Sequence, residues 1–135
     1  MQRWPTTIKE FIELEGYKDL GNDHAFKFTS WRPDRLLNPQ YDGVADVGYY
    51  GAMIVHKKPD GSLCRGAVRF DTPGVRAVLA ASKAHCVKLG IACADDSSGW
   101  QLISLHPLHI EPSVLCLADK CGDHGFIRNG RWERA

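Results

Sequence analysis

The sequence predicts a small α+β fold in a single domain, with an N-terminal helix, a central helix and short antiparallel strands and hairpins. Three observations predict it: two capped segments with helical periodicity, an Asp-Gly hairpin signal and an Asn-Gly hairpin signal. The chain has 135 residues, a length that suits one domain. We divide it into a helical arm over residues 1–22 and a mixed core over residues 23–135.

The first helical segment is short and has a defined beginning. Thr7 and Glu10 have the spacing of a capping box, in which each side chain bonds a free backbone N–H of the first turn. An apolar face and a glycine stop follow, formed by Ile8, Phe11, Ile12 and Gly16.

The central helix has clearer signals at both ends. Thr72 is a capping residue, Pro73 suits the first helical position and Gly90 suits the exit. Between them six residues fall on one stripe at helical spacing, namely Val75, Val78, Leu79, Ser82, Cys86 and Leu89. We therefore expect this stripe to pack on the core.

Two turn dipeptides predict hairpins, because glycine tolerates a positive φ and the preceding Asp or Asn suits a tight turn. The first hairpin is expected from strands 52–56 and 63–70, and the second from strands 125–128 and 131–132. Further extended segments are expected at 25–29, 100–105 and 108–116, the last bent at Pro112.

Charge and cysteine content narrow the classes of function. The chain has 17 basic and 16 acidic residues, so no overall field attracts nucleic acid or anionic lipid. No apolar run reaches the length of a membrane span, and the start lacks the apolar segment of a signal peptide. We therefore expect no membrane partner and a cytosolic location. The five cysteines should stay reduced there, and clustered thiols then indicate a metal.

A cluster of soft ligands lies near the C-terminus. Cys116, Cys121 and His124 fall within nine positions and supply two thiolates and an imidazole, the ligand types that structural zinc prefers. Gly122 allows the tight turn that would bring Cys121 and His124 to one ion. The alternative is that Cys116 is a core residue and the other two are loop residues, since free cysteine is often buried.

Zinc requires a fourth ligand, and several residues are candidates. Cys64 and His56 flank the first hairpin turn and are the preferred choices. His106 and His109 lie on the segment that leads into the cluster, whereas Cys86 lies on the helical stripe and is expected in the core. An open fourth position would instead hold a water and make the site catalytic.

Two surface stretches combine arginine with tryptophan. Trp31 and Arg32 form one, and Arg128, Arg131 and Trp132 form the other. Tryptophan and arginine are enriched at protein-binding hot spots, which suits a nearly neutral protein better than nucleic-acid binding does. Protein-partner binding is therefore favoured, and nucleic-acid binding stays open.

The C-terminal third, WQLISLHPLHIEPSVLCLADKCGDHGFIRNGRW, resembles a family of small phage and prophage proteins described only as a domain of unknown function. The shared pattern is a Trp, then Pro-Ser-x-x-Cys, then Cys-Gly-x-His-Gly-Phe-Ile-x-x-Gly-x-Trp. Related bacterial proteins are described as predicted metal-binding proteins. The resemblance implies a metal role for Cys116, Cys121 and His124, and a structural role for Pro112, Ser113, Gly130 and Trp132.

These observations predict a non-catalytic, zinc-stabilised phage or prophage binding module that acts on a protein, as a host-defence inhibitor or a phage-particle accessory. The expected location is the host bacterial cytoplasm or the phage particle. One alternative is a small zinc-dependent hydrolase with an open metal position and Asp119 or Asp123 as the base. Another is a nucleic-acid-binding accessory protein.

Overall fold

The computed structural model describes residues 5–93, 99–118 and 121–135. The structure confirms the α+β class. Asp119, one of the two candidate bases of the hydrolase alternative, lies outside the described residues. The elements in chain order are α1 (Ile8–Glu15), β1 (Lys18–Gly21), β2 (His24–Trp31), a 3-10 turn (Pro39–Tyr41), β3 (Val47–Lys57), β4 (Leu63–Arg69), α2 (Pro73–Leu89), β5 (Gln101–Leu105), β6 (Leu108–Glu111), β7 (Val114–Leu115), β8 (His124–Arg128) and β9 (Arg131–Arg134).

The strands of the described ranges form three antiparallel sheets. The largest has the order β1-β2-β3-β4, β5 pairs with β6, and the C-terminal sheet has the order β7-β8-β9. Alternate residues of the large sheet project to opposite faces. One face packs with the C-terminal strands to form the main core, which includes Phe26, Ile54, Val68, Phe70, Leu108, Ile110, Ile127 and Trp132.

Helix α1 covers the other face of the large sheet. The side chain of Thr7 accepts a hydrogen bond from the Glu10 N–H, and Gly16 ends the helix in the left-handed region with a φ of 73°. Strand β1 begins at Lys18, inside the segment 1–22 that the sequence predicts as a helical arm, and pairs with β2. The described part of that segment thus consists of strand β1, which belongs to the large sheet, and helix α1, which packs on that sheet.

Helix α2 begins and ends at the predicted residues. The Thr72 side chain accepts from the Val75 N–H, and Gly90 ends the helix with a φ of 68°. Only Val75 and Val78 of the predicted stripe are fully buried, and Leu89 is 56% exposed. The helix therefore packs mainly through its first half. None of the described helices is long and apolar enough to cross a membrane.

Both predicted hairpins are present. In the β3–β4 turn the Asp60 carboxylate accepts a hydrogen bond from the Ser62 N–H at 2.9 Å, and Gly61 has a φ of 89°. In the β8–β9 turn Asn129 and Gly130 both have left-handed φ angles, 52° and 72°. Two successive positive φ values are the requirement of the tight turn that Asn-Gly favours.

Candidate metal centre

The β3–β4 hairpin places an imidazole and a thiol side by side. His56 lies directly opposite Cys64 in the strand register. Residues opposed in an antiparallel pair project to the same face, so both side chains enter the interior together. They are 3% and 8% exposed respectively.

The C-terminal segment supplies two more thiols from a tight knuckle between β7 and β8. Cys116 directly follows β7, and its N–H donates to the Asp123 carbonyl at 2.8 Å. The Cys121 N–H donates to the Ala118 carbonyl at 3.1 Å. Gly122 has a φ of 62°, a conformation that glycine adopts without strain. These features turn the chain so that both cysteines face the hairpin.

The four side chains form one compact donor set. The ligand atoms of His56, Cys64, Cys116 and Cys121 all lie within 4.8 Å of one another. The Cys64 and Cys116 sulfurs are 3.7 Å apart, and His56 Nε2 lies 3.1 Å from the Cys121 sulfur. A tetrahedral zinc with sulfur and nitrogen bonds of usual length separates two sulfurs by roughly 3.8 Å and a sulfur from a nitrogen by roughly 3.5 Å. All five cysteines are free thiols, so the set matches a tetrahedral site with three cysteines and one histidine.

The surroundings control the protonation of two of these ligands. Burial lowers the pKa of His56, although Asp123 opposes this shift. A lowered pKa favours the neutral imidazole, which is the form that binds metal. Burial raises the pKa of the Cys121 thiol, and the Asp123 backbone N–H opposes that shift. A divalent cation would reverse the effect by stabilising the thiolate.

A histidine on β2 packs beside the donor set. His24 lies opposite His56 in the register, and its ring stacks on the rings of His56 and Trp132 with centroid separations of 5.3 and 4.1 Å. Its Nδ1–H donates to the Asn22 carbonyl at 2.6 Å, and its Nε2 lies 2.5 Å from Asp123 Oδ2.

His24, His56 and Asp123 also form a close group of potential ligands. Both ring nitrogens of His24 already have partners, and His56 directs Nε2 at Cys121. We therefore interpret this second group as support that fixes the knuckle against β2. His24 cannot be identified from the sequence, because its neighbours depend on a strand register that no local signal reveals.

The structure places His124 outside the donor set. In β8 the buried residues are Gly125 and Ile127, so the alternation of the strand directs His124 to the exposed side. Its Nε2 lies 2.9 Å from the Ser113 hydroxyl. The expected ligand set is corrected accordingly: Cys116 and Cys121 come together, and Cys64 and His56 both join them, although each was expected only as an alternative fourth ligand.

The chain matches no family model, and comparisons with curated proteins and with solved structures give no match. The case for a metal centre therefore depends on the geometry of the donor set.

The residues proposed for partner binding lie in different environments. Trp132 is only 3% exposed and belongs to the core, so it is not available at the surface. Arg128 stacks on the Phe126 ring at 4.0 Å and forms ion pairs with Glu111 and Glu133. The remaining three, Trp31, Arg32 and Arg131, are partly or fully exposed.

Proposed function

We propose that this chain is a non-catalytic, zinc-stabilised binding module of phage or prophage origin that acts on a protein partner. The donor set of one histidine and three cysteines carries the proposal. Four protein ligands complete a tetrahedral shell, which is typical of structural zinc and leaves no position for a reactive water. The resemblance of the C-terminal third supports the phage origin, and the proposed role is that of a host-defence inhibitor or a phage-particle accessory.

The ion would act as a cross-link between distant parts of the chain. Cys64 and Cys116 are separated by 52 positions, and they lie on the β3–β4 hairpin and after β7. A domain of this size has a modest core, so the free energy of metal binding would contribute directly to folding.

A loop held by internal hydrogen bonds supports the protein-partner part of the proposal. Leu36 and Leu37 are 95% and 79% exposed in the loop after β2. The Asp34 carboxylate accepts hydrogen bonds from both of their backbone N–H groups. Arg35 donates to the carbonyls of Tyr41 and Val44 and to the Asp46 carboxylate. An ordered loop that exposes two leucines lowers the entropic cost of docking against an apolar surface of a partner.

The donor set and the ion pairs of Arg128 give less support to a zinc hydrolase and to a nucleic-acid-binding protein. A zinc hydrolase requires an open position, whereas four side chains are available to close the shell. A nucleic-acid surface on the C-terminal hairpin would need free cations, and Arg128 is paired with Glu111 and Glu133.

Elemental analysis of protein purified without affinity metals tests the proposal. We expect about one zinc per chain, and loss of that zinc in Cys64→Ser and Cys121→Ser. Cys86→Ser is the matched control, because Cys86 lies on α2 outside the donor set. A wild-type protein that is folded, free of metal and indifferent to chelators would contradict the proposal.

A further inference from the structure

We propose that an apolar cavity at the outer edge of β4 binds an extended, uncharged peptide segment of the partner protein. One side chain of that segment fills the cavity while its backbone pairs with β4. This inference rests on the proposed function, because it specifies the chemistry of the protein partner.

The cavity lies beside the donor set, between the large sheet and the C-terminal sheet. Its volume is about 300 Å³, and its apolar walls include Ile54, Val68, Trp100, Val114 and Trp132. Gly66 of β4 lies opposite Ile54, so a side chain there would project to the same face. A Cβ built at Gly66 meets no atom within 4 Å. The missing side chain of Gly66 therefore opens the cavity.

Two buried hydrogen-bond donors belong to residues that line this cavity. Trp132 Nε1 and His56 Nδ1 are both buried, and neither has a hydrogen-bond partner in the described part of the chain. When a metal binds His56 Nε2, the neutral ring carries its proton on Nδ1, which is then a donor. Neither nitrogen is exposed to solvent, so the Trp132 indole N–H serves as a reporter of a nearby occupant, whose affinity comes from its apolar side chain and from backbone pairing with β4.

The backbone edges beside the cavity favour a peptide over other ligands. In the described part of the chain, β4 and β7 are each the outer strand of their sheet, and both contribute to the cavity wall. Trp100 already pairs with one end of β4: its N–H donates to the Arg69 carbonyl, and its carbonyl accepts from the Asp71 N–H, both at 2.8 Å. Along a strand, the backbone N–H and C=O groups of every second residue point to the same side. Ala67 and Arg65 therefore direct these groups to the same edge as Arg69. A peptide strand can continue this pairing past the cavity.

The charges of the lining decide the character of the segment. Among the described residues that line the cavity, Asp123 and Arg65 are the charged ones. Asp123 is paired with His24, and the Arg65 guanidinium lies over the Phe11 ring on the opposite face of the sheet. The described lining residues thus offer no unpaired charge to an occupant. An uncharged segment with an apolar side chain is the complementary partner.

Binding of a defined peptide set to the full, metal-loaded chain tests the inference. The probes are end-blocked heptapeptides in which Val, Leu or Phe alternates with Thr or Ser, measured by calorimetry and by amide chemical shifts. We expect binding with shifts at the Arg65 and Ala67 amides and at the Trp132 indole N–H.

Substitution of the open glycine provides the specific test. Gly66→Val should weaken binding by about tenfold or more by filling the cavity, and Gly66→Ala should weaken it less. Gly48→Val is the matched control, because Gly48 is also a strand glycine with open space at its Cβ. The affinity of Gly48→Val for the peptides should stay at the wild-type value, and all three variants should keep their metal.

Three results would overturn the inference. The first is metal-loaded wild type that binds none of the peptides, and the second is Gly66→Val that binds them as well as Gly48→Val does. The third is a pair of observations. Pentanamide shifts the Trp132 indole N–H resonance as the peptides do, and neither pentanamide nor any peptide shifts the Arg65 and Ala67 amide resonances. That result would assign the cavity to small molecules. Each result leaves the metal content unchanged, whereas failure of the proposed function appears in the metal analysis itself.

Discussion

At the scale of single residues, the choice between two histidines decides the ligand set. His56 is buried opposite Cys64, whereas His124 is exposed and hydrogen-bonded to the Ser113 hydroxyl. We predict that His56→Ala lowers metal affinity by more than the roughly 10–100-fold typical of losing an outer-shell partner, because it removes a ligand. His124→Ala should leave affinity unchanged. Competition with a chromophoric chelator measures both, and equal losses would contradict the assignment.

The same two histidines mark the limit of prediction from sequence. Cys116 and Cys121 were predictable because ligand type and spacing are local properties. The side-chain direction of His124 depends on how β8 pairs with its neighbours, and spacing along the chain does not supply that information. His24 meets His56 only through the β2–β3 register. The sequence therefore indicates a metal, while the register of the strands determines which candidate ligands lie together.

A glycine at the start of the C-terminal hairpin has a packing role. A Cβ at Gly125 would lie 2.5 Å from Trp132 Cε2 and 2.6 Å from the Glu133 carbonyl oxygen. We predict that Gly125→Ala lowers the free energy of unfolding by about 1–3 kcal/mol, because ring and backbone must both move. Gly48→Ala is the control, since its Cβ meets open space, and should change stability by no more than about 0.5 kcal/mol. Urea unfolding compares the two variants, and equal changes would contradict the steric explanation.

At the scale of elements, helix α2 shows which features are local. Its ends were predictable because Thr72 and Gly90 act on adjacent backbone groups. The extent of its burial was not predictable, because the apolar stripe also contains Leu89, which is 56% exposed. Helical spacing identifies an apolar face but does not say how far a neighbouring element extends along it.

The N-terminal cap of α2 gives a prediction at this scale. The Thr72 hydroxyl accepts from the Val75 N–H at 3.4 Å, and Val75 is buried. Thr72→Ala should lower the free energy of unfolding by about 0.5–2 kcal/mol, because the Val75 N–H loses its acceptor. Thr72→Ser keeps the oxygen and should recover most of that loss in the same thermal or urea unfolding experiment. A serine variant as unstable as the alanine variant would exclude the cap as the cause.

At the scale of the whole molecule, the donor set connects the large sheet to the C-terminal sheet. Two of its ligands lie on β3 and β4, and two lie between β7 and β8. His24, Asp123 and Trp132 form a second connection between the same sheets through stacking and a hydrogen bond. A metal bound to these four residues would therefore act at a junction that packing already brings together.

Removal of the metal should consequently weaken the junction before the rest of the fold. We predict that a chelator lowers the free energy of unfolding of the wild type by several kcal/mol, because the unfolded chain offers no assembled site. Amide exchange should accelerate first in β7, β8 and β9, while β2 and the central part of β3, which pair with strands on both sides, stay protected. Cys64→Ser provides the internal comparison, because it already lacks a ligand. If the chelator destabilised Cys64→Ser as much as the wild type, its effect would have to come from somewhere other than the four-residue site.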